Sequence, residues 1–290
     1  MRTKNEITLL FLLLIGTLGF SQKTIPLVIN DAGYIFVKAT LNDSITGNFL
    51  LDTGGGMNVL SGKYFEKVKN TTRSGGHFTG FRHNGEALSG EIYKIPAISI
   101  EGLRQENPYV GYYAPLDEYG MDGIISLKMF ENQPVTIDFK NKQLIIETKE
   151  SLQKLAKTAE VIPFTVQQYR DKALDIFIQV CVNGVPIEAE FDTGSGYNTL
   201  LVNPFFMEKM GVKKEDCRER VHDKAKNLKD YFAQIPAGAL CAVPSVAGKD
   251  VSVTFREGLI YEGLIGSGWF KGKKLTIDIP NRRMLVRNAD

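Results

Sequence analysis

The sequence predicts an all-β protein made of two related β-barrel lobes with minor helix, and three features of the chain support that prediction. Corresponding residues of the two halves are separated by 140 positions. Short apolar runs alternate with polar turns, which is the pattern of β-hairpins. Long amphipathic helical segments are absent from the sequence. We therefore expect two lobes arranged about an approximate two-fold axis.

The repeat is clearest at the triplet Asp-Thr-Gly, which occurs twice and continues both times as Gly-x-Asn-x-Leu. A single triplet would be a weak signal, but two copies in register indicate a duplicated half-domain. The period is too long, and the copies too few, for a solenoid. The matched positions are Asp52 and Asp192, Gly123 and Gly263, and Asp138 and Asp278.

The repeat also defines the domain organisation. An N-terminal lobe is expected over 22–150 and a C-terminal lobe over 161–290. The segment 151–160 between them is charged and poor in aromatic residues, and we interpret it as a linker. One short helix is predicted to begin at Asn203-Pro204 and to end at Gly211.

Residues 1–21 have the composition of a signal peptide. Two basic residues precede an apolar stretch, 7–20, and the small residues Gly19 and Ser21 suit cleavage by a signal peptidase. The sequence therefore predicts an exported protein, periplasmic or secreted. The apolar stretch is short for a bilayer span. An uncleaved leader that keeps the protein membrane-associated is the alternative.

Composition argues against several classes of partner and cofactor. The formal net charge is only +2, so nothing favours nucleic acid or an anionic membrane as a partner. The three histidines have no metal-ligand spacing, and the three cysteines include no C-x-x-C pair. We expect no metal and no cofactor. In an exported chain, Cys217 could form a disulfide with Cys241.

Two Asp-Thr-Gly loops brought together have a definite chemistry. Two carboxyl groups at hydrogen-bonding distance cannot both ionise easily, so one proton is held between them. Such a pair can deprotonate a water as general base and protonate a leaving amine as general acid. The glycine of each triplet permits a tight turn, and the threonine hydroxyl can bond to the opposite loop.

These motifs resemble those of aspartic proteases of the pepsin and retropepsin superfamily, most closely the retropepsin-like proteases exported by bacteria. The resemblance covers essentially the whole chain after the leader and implies an endopeptidase that acts on peptide or protein substrates. It implies that Asp52 and Asp192 are catalytic. Because one chain supplies both, the protein is expected to act as a monomer. The supporting residues implied are Thr53, Gly54, Thr193, Gly194 and Ser195.

The sequence departs from the family pattern near both triplets. The position after the triplet usually carries serine, threonine or alanine in the family, but here it is Gly55 in one half and Ser195 in the other. Ser126 stands where the family has a glycine, which Gly266 retains. We expect the Ser195 hydroxyl to bond a carboxylate, so that Asp192 carries the charge and Asp52 the proton.

A glycine-rich polar stretch between Arg73 and Gly90 predicts a mobile hairpin, or flap, over the cleft. An ordinary surface hairpin is the alternative. The flap and substrate-binding candidates are Phe78, Gly80, Phe81 and Tyr93.

Two other functions were weighed against peptide hydrolysis. A catalytically silent protein of the same fold could bind an extended peptide in the cleft or serve as a scaffold. Hydrolysis of glycosides by two carboxylates is chemically reasonable, but it does not explain why the two triplets are identical.

Overall fold

The computed structural model describes residues 22–289, most of which lie in β-strands. The predicted signal peptide, 1–21, lies outside the described residues. Within 22–289, the structure contains no helix with the length and apolar character needed to cross a membrane. The abundance of strands confirms the prediction of an all-β protein with minor helix.

We refer to residues 22–148 as the N-terminal half and to 160–289 as the C-terminal half. The strands of the N-terminal half are β1 (Lys23–Pro26), β2 (Val28–Ile29), β3 (Ile35–Leu41), β4 (Ile45–Asp52), β5 (Val59–Leu60), β6 (Thr72–Phe81), β7 (Ala87–Lys94), β8 (Ala97–Ile100), β9 (Leu103–Glu106), β10 (Tyr109–Tyr112), β11 (Gly123–Ser126), β12 (Val135–Asp138) and β13 (Gln143–Ile146).

The strands of the C-terminal half are β14 (Glu160–Tyr169), β15 (Ala173–Val182), β16 (Val185–Phe191), β17 (Leu200–Val202), β18 (Arg218–Asp223), β19 (Leu228–Leu240), β20 (Val243–Arg256), β21 (Gly263–Ile265), β22 (Lys273–Asp278) and β23 (Arg283–Asn288).

Two α-helices are present in the described residues, α1 (Gly62–Phe65) and α2 (Lys149–Thr158). Helix α2 occupies most of the segment interpreted as a linker, and the sequence analysis did not foresee it. Its local cause is a reciprocal cap: the Ser151 amide donates to Thr148 Oγ1 over 3.1 Å, and the Thr148 amide donates to Ser151 Oγ over 2.8 Å. Such a capping box satisfies amides that the first helical turn leaves free.

The helix predicted between Asn203 and Gly211 consists of two short 3-10 segments, Pro204–Phe206 and Glu208–Met210. The Asn203 side chain caps the first by accepting from the Phe205 amide, and Gly211 ends the second in the left-handed conformation. The predicted start and stop signals are therefore correct, although the segment is not α-helical.

The strands form two extended sheets. A ten-stranded sheet contains only strands of the N-terminal half, in the order β6-β7-β10-β5-β11-β4-β3-β8-β9 with β2 beside β3. A thirteen-stranded sheet has the order β1-β13-β12-β22-β23-β14-β15-β16-β21-β17-β20-β19-β18. Because β1, β12 and β13 belong to the N-terminal half, the second sheet joins the two halves through hydrogen-bonded strands.

The junction between the halves is the antiparallel pair β12 and β22. Thr136 lies opposite Thr276 in this pair, and their hydroxyl oxygens are 2.6 Å apart. Strand β13 flanks β12, and β23 flanks β22, so the order of strands is the same on either side of the junction. Both threonines are buried. The halves are thus held in a fixed relation by backbone and side-chain hydrogen bonds.

Each half places the strand before its triplet parallel to a strand that begins with glycine. In the N-terminal half, β4 lies beside β11 with Phe49 opposite Gly123. In the C-terminal half, β16 lies beside β21 with Ala189 opposite Gly263. A Cβ on Gly263 would lie 2.8 Å from Ile187 Cδ1. Glycine therefore allows the close approach of these strands.

The disulfide differs from the predicted pairing. Cys181 is bonded to Cys241, and Cys217 is free. Strands β15 and β19 pair in a register that brings the Cα atoms of Cys181 and Cys241 to 5.2 Å. Cys217 precedes β18, the edge strand at the far end of the sheet. The prediction of a bond between Cys217 and Cys241 was wrong because chain spacing does not reveal which strands pair.

Candidate active site

The two Asp-Thr-Gly loops meet where the halves face each other. Asp52 is the last residue of β4, and Asp192 directly follows β16. Their carboxyl groups are hydrogen-bonded to each other. The structure therefore brings together the two aspartates that the sequence singled out, although they are separated by 140 positions in the chain.

The glycine of each triplet makes this close approach possible. A Cβ on Gly54 would lie 2.9 Å from Cγ of Asp192, and a Cβ on Gly194 would lie 2.5 Å from Cγ of Asp52. Each glycine thus faces the aspartate of the opposite loop. Any larger residue at either position would displace a carboxyl group, because distances this short are not tolerated between carbon atoms.

The two threonines cross-link the loops as predicted. The Thr53 hydroxyl donates to the Phe191 carbonyl over 2.5 Å and accepts from the Thr193 amide over 3.0 Å. The reciprocal bonds run from the Thr193 hydroxyl to the Leu51 carbonyl, 2.7 Å, and from the Thr53 amide to the Thr193 hydroxyl, 3.1 Å. Both side chains are buried. These four bonds fix the relative position of the two aspartates.

Ser195 does not make the contact expected of it. Its hydroxyl donates to the backbone carbonyl of Asp192 over 2.8 Å, rather than to a carboxylate. The expectation that this hydroxyl stabilises the charged form of Asp192 was therefore wrong. At the corresponding position, the Gly55 amide donates to the Asp52 carbonyl over 3.4 Å. Serine in one half and glycine in the other both serve to close the turn.

The surroundings of the pair make its two members unequal. Burial raises the pKa of Asp52, and the hydrogen bond to Asp192 and that from the Gly54 amide, 3.0 Å from Asp52 Oδ1, partly offset this. Burial raises the pKa of Asp192 well above its ordinary value. The charge of Asp52 beside it raises this pKa further. We infer that Asp52 carries the charge and Asp192 the proton, the reverse of the assignment expected from the sequence.

Two more carboxyl groups lie beside the pair, and the sequence analysis missed both. Glu190 is only 4% exposed, and burial together with the nearby Asp175 raises its pKa to about 9. Burial and the charge of Asp52 raise the pKa of Asp175 to about 7. Tyr261 lies beside Glu190, and Gly56 lies beside the Asp175 carboxylate.

A sequence signal existed for Glu190 but not for Asp175. Side chains alternate along a strand, so the burial of Phe191 in the core puts Glu190 on the same face as Asp192. The N-terminal half has Leu50 in the matching place. Asp175 lies on the neighbouring strand β15, and only strand pairing brings it to the site.

The four carboxyl groups line one cleft of about 830 Å³. This volume is in the range of sites that hold an organic ligand. The charged side chains Arg82 and Lys172 also line it. The aromatic residues in its wall are Phe78, Phe81, Tyr113, Tyr119, Tyr169 and Tyr261.

The predicted hairpin over the cleft is present as β6 and β7, and Phe78, Gly80 and Phe81 line the cleft. Its tip contacts the C-terminal half. The His83 carbonyl accepts from the Ile260 amide over 3.3 Å, and the Arg256 guanidinium donates to the His83 ring. The hairpin thus spans the cleft from one half to the other.

Tyr93 is the one flap candidate that the structure does not bring to the cleft. It lies on β7, but its ring packs against Phe65 and Tyr112, 4.6 and 6.4 Å away between ring centroids. Its hydroxyl donates to Glu91. Tyr93 faces away because side chains on a strand alternate between faces, and its assignment to the substrate-binding residues was wrong.

Comparison of the chain with protein-family models gave no match, and comparison with curated proteins gave no significant match. Within 22–289, no three His, Cys, Asp or Glu side chains are grouped so that they could hold a metal ion.

Proposed function

We propose that the chain is an aspartic endopeptidase of the pepsin and retropepsin superfamily, with two duplicated lobes of the retropepsin-like β-barrel type. The observation that carries this proposal is the hydrogen-bonded pair of Asp52 and Asp192 at the floor of an open cleft. The threonine bonds of the two triplets support the duplication, because the bonds of one loop are repeated in the other at an offset of 140 residues.

The pair supplies the acid and the base that peptide hydrolysis needs. The ionised Asp52 removes a proton from a water, whose oxygen attacks the carbonyl carbon of the scissile peptide. The protonated Asp192 gives its proton to the carbonyl oxygen. In the second step, Asp52 gives the proton it took from the water to the amide nitrogen, and a hydroxyl of the tetrahedral intermediate returns a proton to Asp192. The C–N bond breaks, and a carboxylic acid and an amine leave. This sequence requires one shared proton and no covalent intermediate.

Burial of the carboxyl groups argues against a purely structural role. Carboxyl groups held in a shielded site with raised pKa values cost folding free energy on the order of several kcal/mol. Oδ1 of Asp192 is shielded from solvent and has no hydrogen-bond partner in the described protein. A peptide carbonyl entering the cleft would give this group a partner, so the cost is offset when substrate binds.

The cleft and its hairpin suit an extended peptide. The aromatic side chains in the wall present apolar surface to substrate side chains. The β6–β7 hairpin crosses the cleft, and we propose that it opens to admit substrate and closes to exclude water. The predicted export of the protein would place this activity in the periplasm or outside the cell.

The test compares purified wild type with Asp52→Asn and Asp192→Asn on a diverse peptide mixture, with and without a pepstatin-type inhibitor. Each substitution should lower kcat/KM by about 10⁴-fold or more, because an amide cannot share the proton. Asp43→Asn is the matched control, since Asp43 lies on the surface in an ion pair with Arg104.

Two outcomes would contradict the proposal. Equal turnover in wild type and both asparagine variants would remove the role of the pair. Tight binding of peptides by wild type with no cleavage would favour the alternative of a catalytically silent peptide-binding protein. Circular dichroism and thermal unfolding should show that the variants keep the fold.

A further inference from the structure

We propose that Asp175 and Glu190 form an acidic subsite that receives a lysine or arginine side chain of the substrate, next to the peptide bond that is cut. The inference rests on the proposed endopeptidase function and deepens it by naming a substrate class. It concerns two residues that take no part in the hydrolytic steps described above.

The two carboxyl groups share one face of the sheet with the aspartate pair. Glu190 lies two residues before Asp192 on β16, and its strand partner on β15 is Phe177. Asp175 lies two residues before Phe177 on β15. Since residues two apart on a strand point to the same side, all three carboxyl groups face the cleft, and all three line it.

Asp175 also lies beside the other triplet loop. The Leu174 amide donates to the Gly56 carbonyl over 2.9 Å, which joins the start of β15 to the N-terminal half. A Cβ on Gly56 would lie 3.6 Å from both carboxylate oxygens of Asp175. The subsite is therefore built into the contact between the two halves, within reach of a side chain that flanks the scissile bond.

Neither carboxyl group has a cation of its own. No ion pair within 22–289 involves Asp175 or Glu190, and Asp175 Oδ1 is shielded from solvent and without a hydrogen-bond partner. The two cations that line the cleft have other partners: Arg82 pairs with Glu86 at 3.5 Å, and Lys172 pairs with Asp171 at 3.0 Å. Asp175 and Glu190 therefore gain an ionic partner only when a cation enters the cleft.

The protonation of Asp175 and Glu190 should be linked to the binding of a cation, and this linkage can be measured. Without a cation, burial raises the pKa of Asp175 to about 7 and that of Glu190 to about 9. An ammonium or guanidinium group between them favours their charged forms and lowers both pKa values. Binding of a basic side chain near neutral pH should therefore release protons to the buffer, whereas binding of an uncharged side chain should not.

The experiment uses matched peptides, acetylated and amidated at their ends, that carry lysine, arginine or norleucine at each position flanking the cleaved bond. At pH 8, kcat/KM for the lysine peptide should exceed that for the norleucine peptide by about tenfold or more at one position. At pH 5, where both carboxyl groups are protonated, the ratio should approach one. A peptide with a free N-terminus and no lysine separates capture of a terminal amine from capture of a side chain.

Variants then assign the preference to residues. Glu190→Gln and Asp175→Asn should each lower the lysine-to-norleucine ratio by about tenfold, and the ratio cancels any general loss of activity. Glu188→Gln should leave the ratio unchanged. Glu188 lies on the same strand and face but does not line the cleft, which makes it a matched control.

The outcomes separate this inference from the proposed function. Cleavage of all peptides with equal ratios at pH 5 and pH 8 would overturn the acidic subsite alone. Absence of all cleavage would overturn the endopeptidase. In that case, calorimetric titration of wild type in two buffers of different ionisation enthalpy decides the subsite: equal affinity for lysine and norleucine peptides, with no proton release, would overturn it.

Discussion

The two halves carry the same triplet but surround it differently. In the N-terminal half, Leu50 lies two residues before Asp52, and in the C-terminal half Glu190 lies two residues before Asp192. The contacts that fasten the halves, above all the threonine bonds, are nearly identical in the two directions. The residues that influence the charge of each aspartate differ between the halves. The threonine bonds, which are symmetric, hold the two aspartates in position. We infer that the residues that differ between the halves make the protonation states of the two aspartates unequal.

The turns behind the triplets show a second difference. A Cβ on Gly266 would overlap the carbonyl oxygen of Gly196, so this turn requires glycine. Ser126 stands at the matching place in the N-terminal half, where its amide donates to Asn58 Oδ1 over 2.9 Å and its hydroxyl accepts from the Lys128 amide. The Ser126 hydroxyl thereby caps the short helical segment that follows, Leu127–Phe130.

The hairpins of the two halves also differ. The β6–β7 hairpin of the N-terminal half lines the cleft, whereas no residue between Lys224 and Ile235 does so. The sequence analysis expected a flap in the N-terminal half only, since the matching segment of the C-terminal half is charged and lacks glycine. Under the proposed function, the N-terminal hairpin would therefore control substrate access from one side.

Among the variants that compare the two loops, the largest effect should come from the glycines that face the aspartates. Gly194→Ala should lower kcat/KM by about 100-fold, because its Cβ would lie 2.5 Å from Cγ of Asp52 and displace that carboxyl group. Gly55→Ala should cost less than about tenfold, because its closest contact would be Ile124 Cγ2 at 3.0 Å. Steady-state kinetics on both variants measures this. Equal losses would show that the loops do not cross as described.

The disulfide provides a comparison of stability between the halves. Replacing Cys181 and Cys241 by alanine should lower the free energy of unfolding by about 2–4 kcal/mol, since the bond restricts the unfolded chain. Cys217→Ala is the control and should cost less than about 1 kcal/mol, because its thiol forms no disulfide. Urea unfolding measures both. Hydrogen exchange should locate the loss in the C-terminal half, and a loss in the N-terminal half would contradict the prediction.

The threonine bonds should be equally strong in both directions. Thr53→Val and Thr193→Val should each lower the free energy of unfolding by about 2–3 kcal/mol, because each leaves a buried carbonyl and amide without a partner. Thr40→Val is a control at a half-buried position, where the hydroxyl lies 3.0 Å from that of Thr46, and it should cost less than about 1 kcal/mol. Chemical unfolding of the variants gives the values. A difference above about 1 kcal/mol between the first two would mean that the symmetry is only apparent.

The pH dependence of stability should also differ between the halves, because only the C-terminal half has a glutamate, Glu190, two residues before its aspartate. Its pKa of about 9 in the fold lies above the ordinary value of 4.5. Between these values, the folded state holds a proton that the unfolded state has lost, so stability falls as pH rises. The slope is at most about 1.4 kcal/mol per pH unit from this group.

Glu190→Gln should remove that slope. The stability of the variant relative to wild type should increase steadily between pH 5 and pH 8, as measured by thermal or urea unfolding at each pH. Glu188→Gln provides the control and should run parallel to wild type, since Glu188 does not line the cleft. Parallel curves for Glu190→Gln and wild type would show that this carboxyl group ionises normally in the fold.

Local patterns were enough to predict much of the molecule. The β class, the hairpin between Arg73 and Gly90 and the start and stop of the segment from Asn203 to Gly211 depend on residues close together in the chain. The meeting of Asp52 and Asp192 was predictable for another reason: identical triplets at a fixed offset indicate identical loops, and two such loops can meet about a two-fold axis.

Strand pairing and side-chain direction decided the rest. Asp175 reaches the aspartate pair, and Cys181 reaches Cys241, only because β15 has the neighbours it has in the sheet. The Ser195 hydroxyl turns to its own loop, and Tyr93 turns away from the cleft. The repeat and the strand segments could be predicted from the chain alone, since they follow from local chemistry. The set of carboxyl groups that share one cleft could not, because it depends on contacts between segments far apart in the chain.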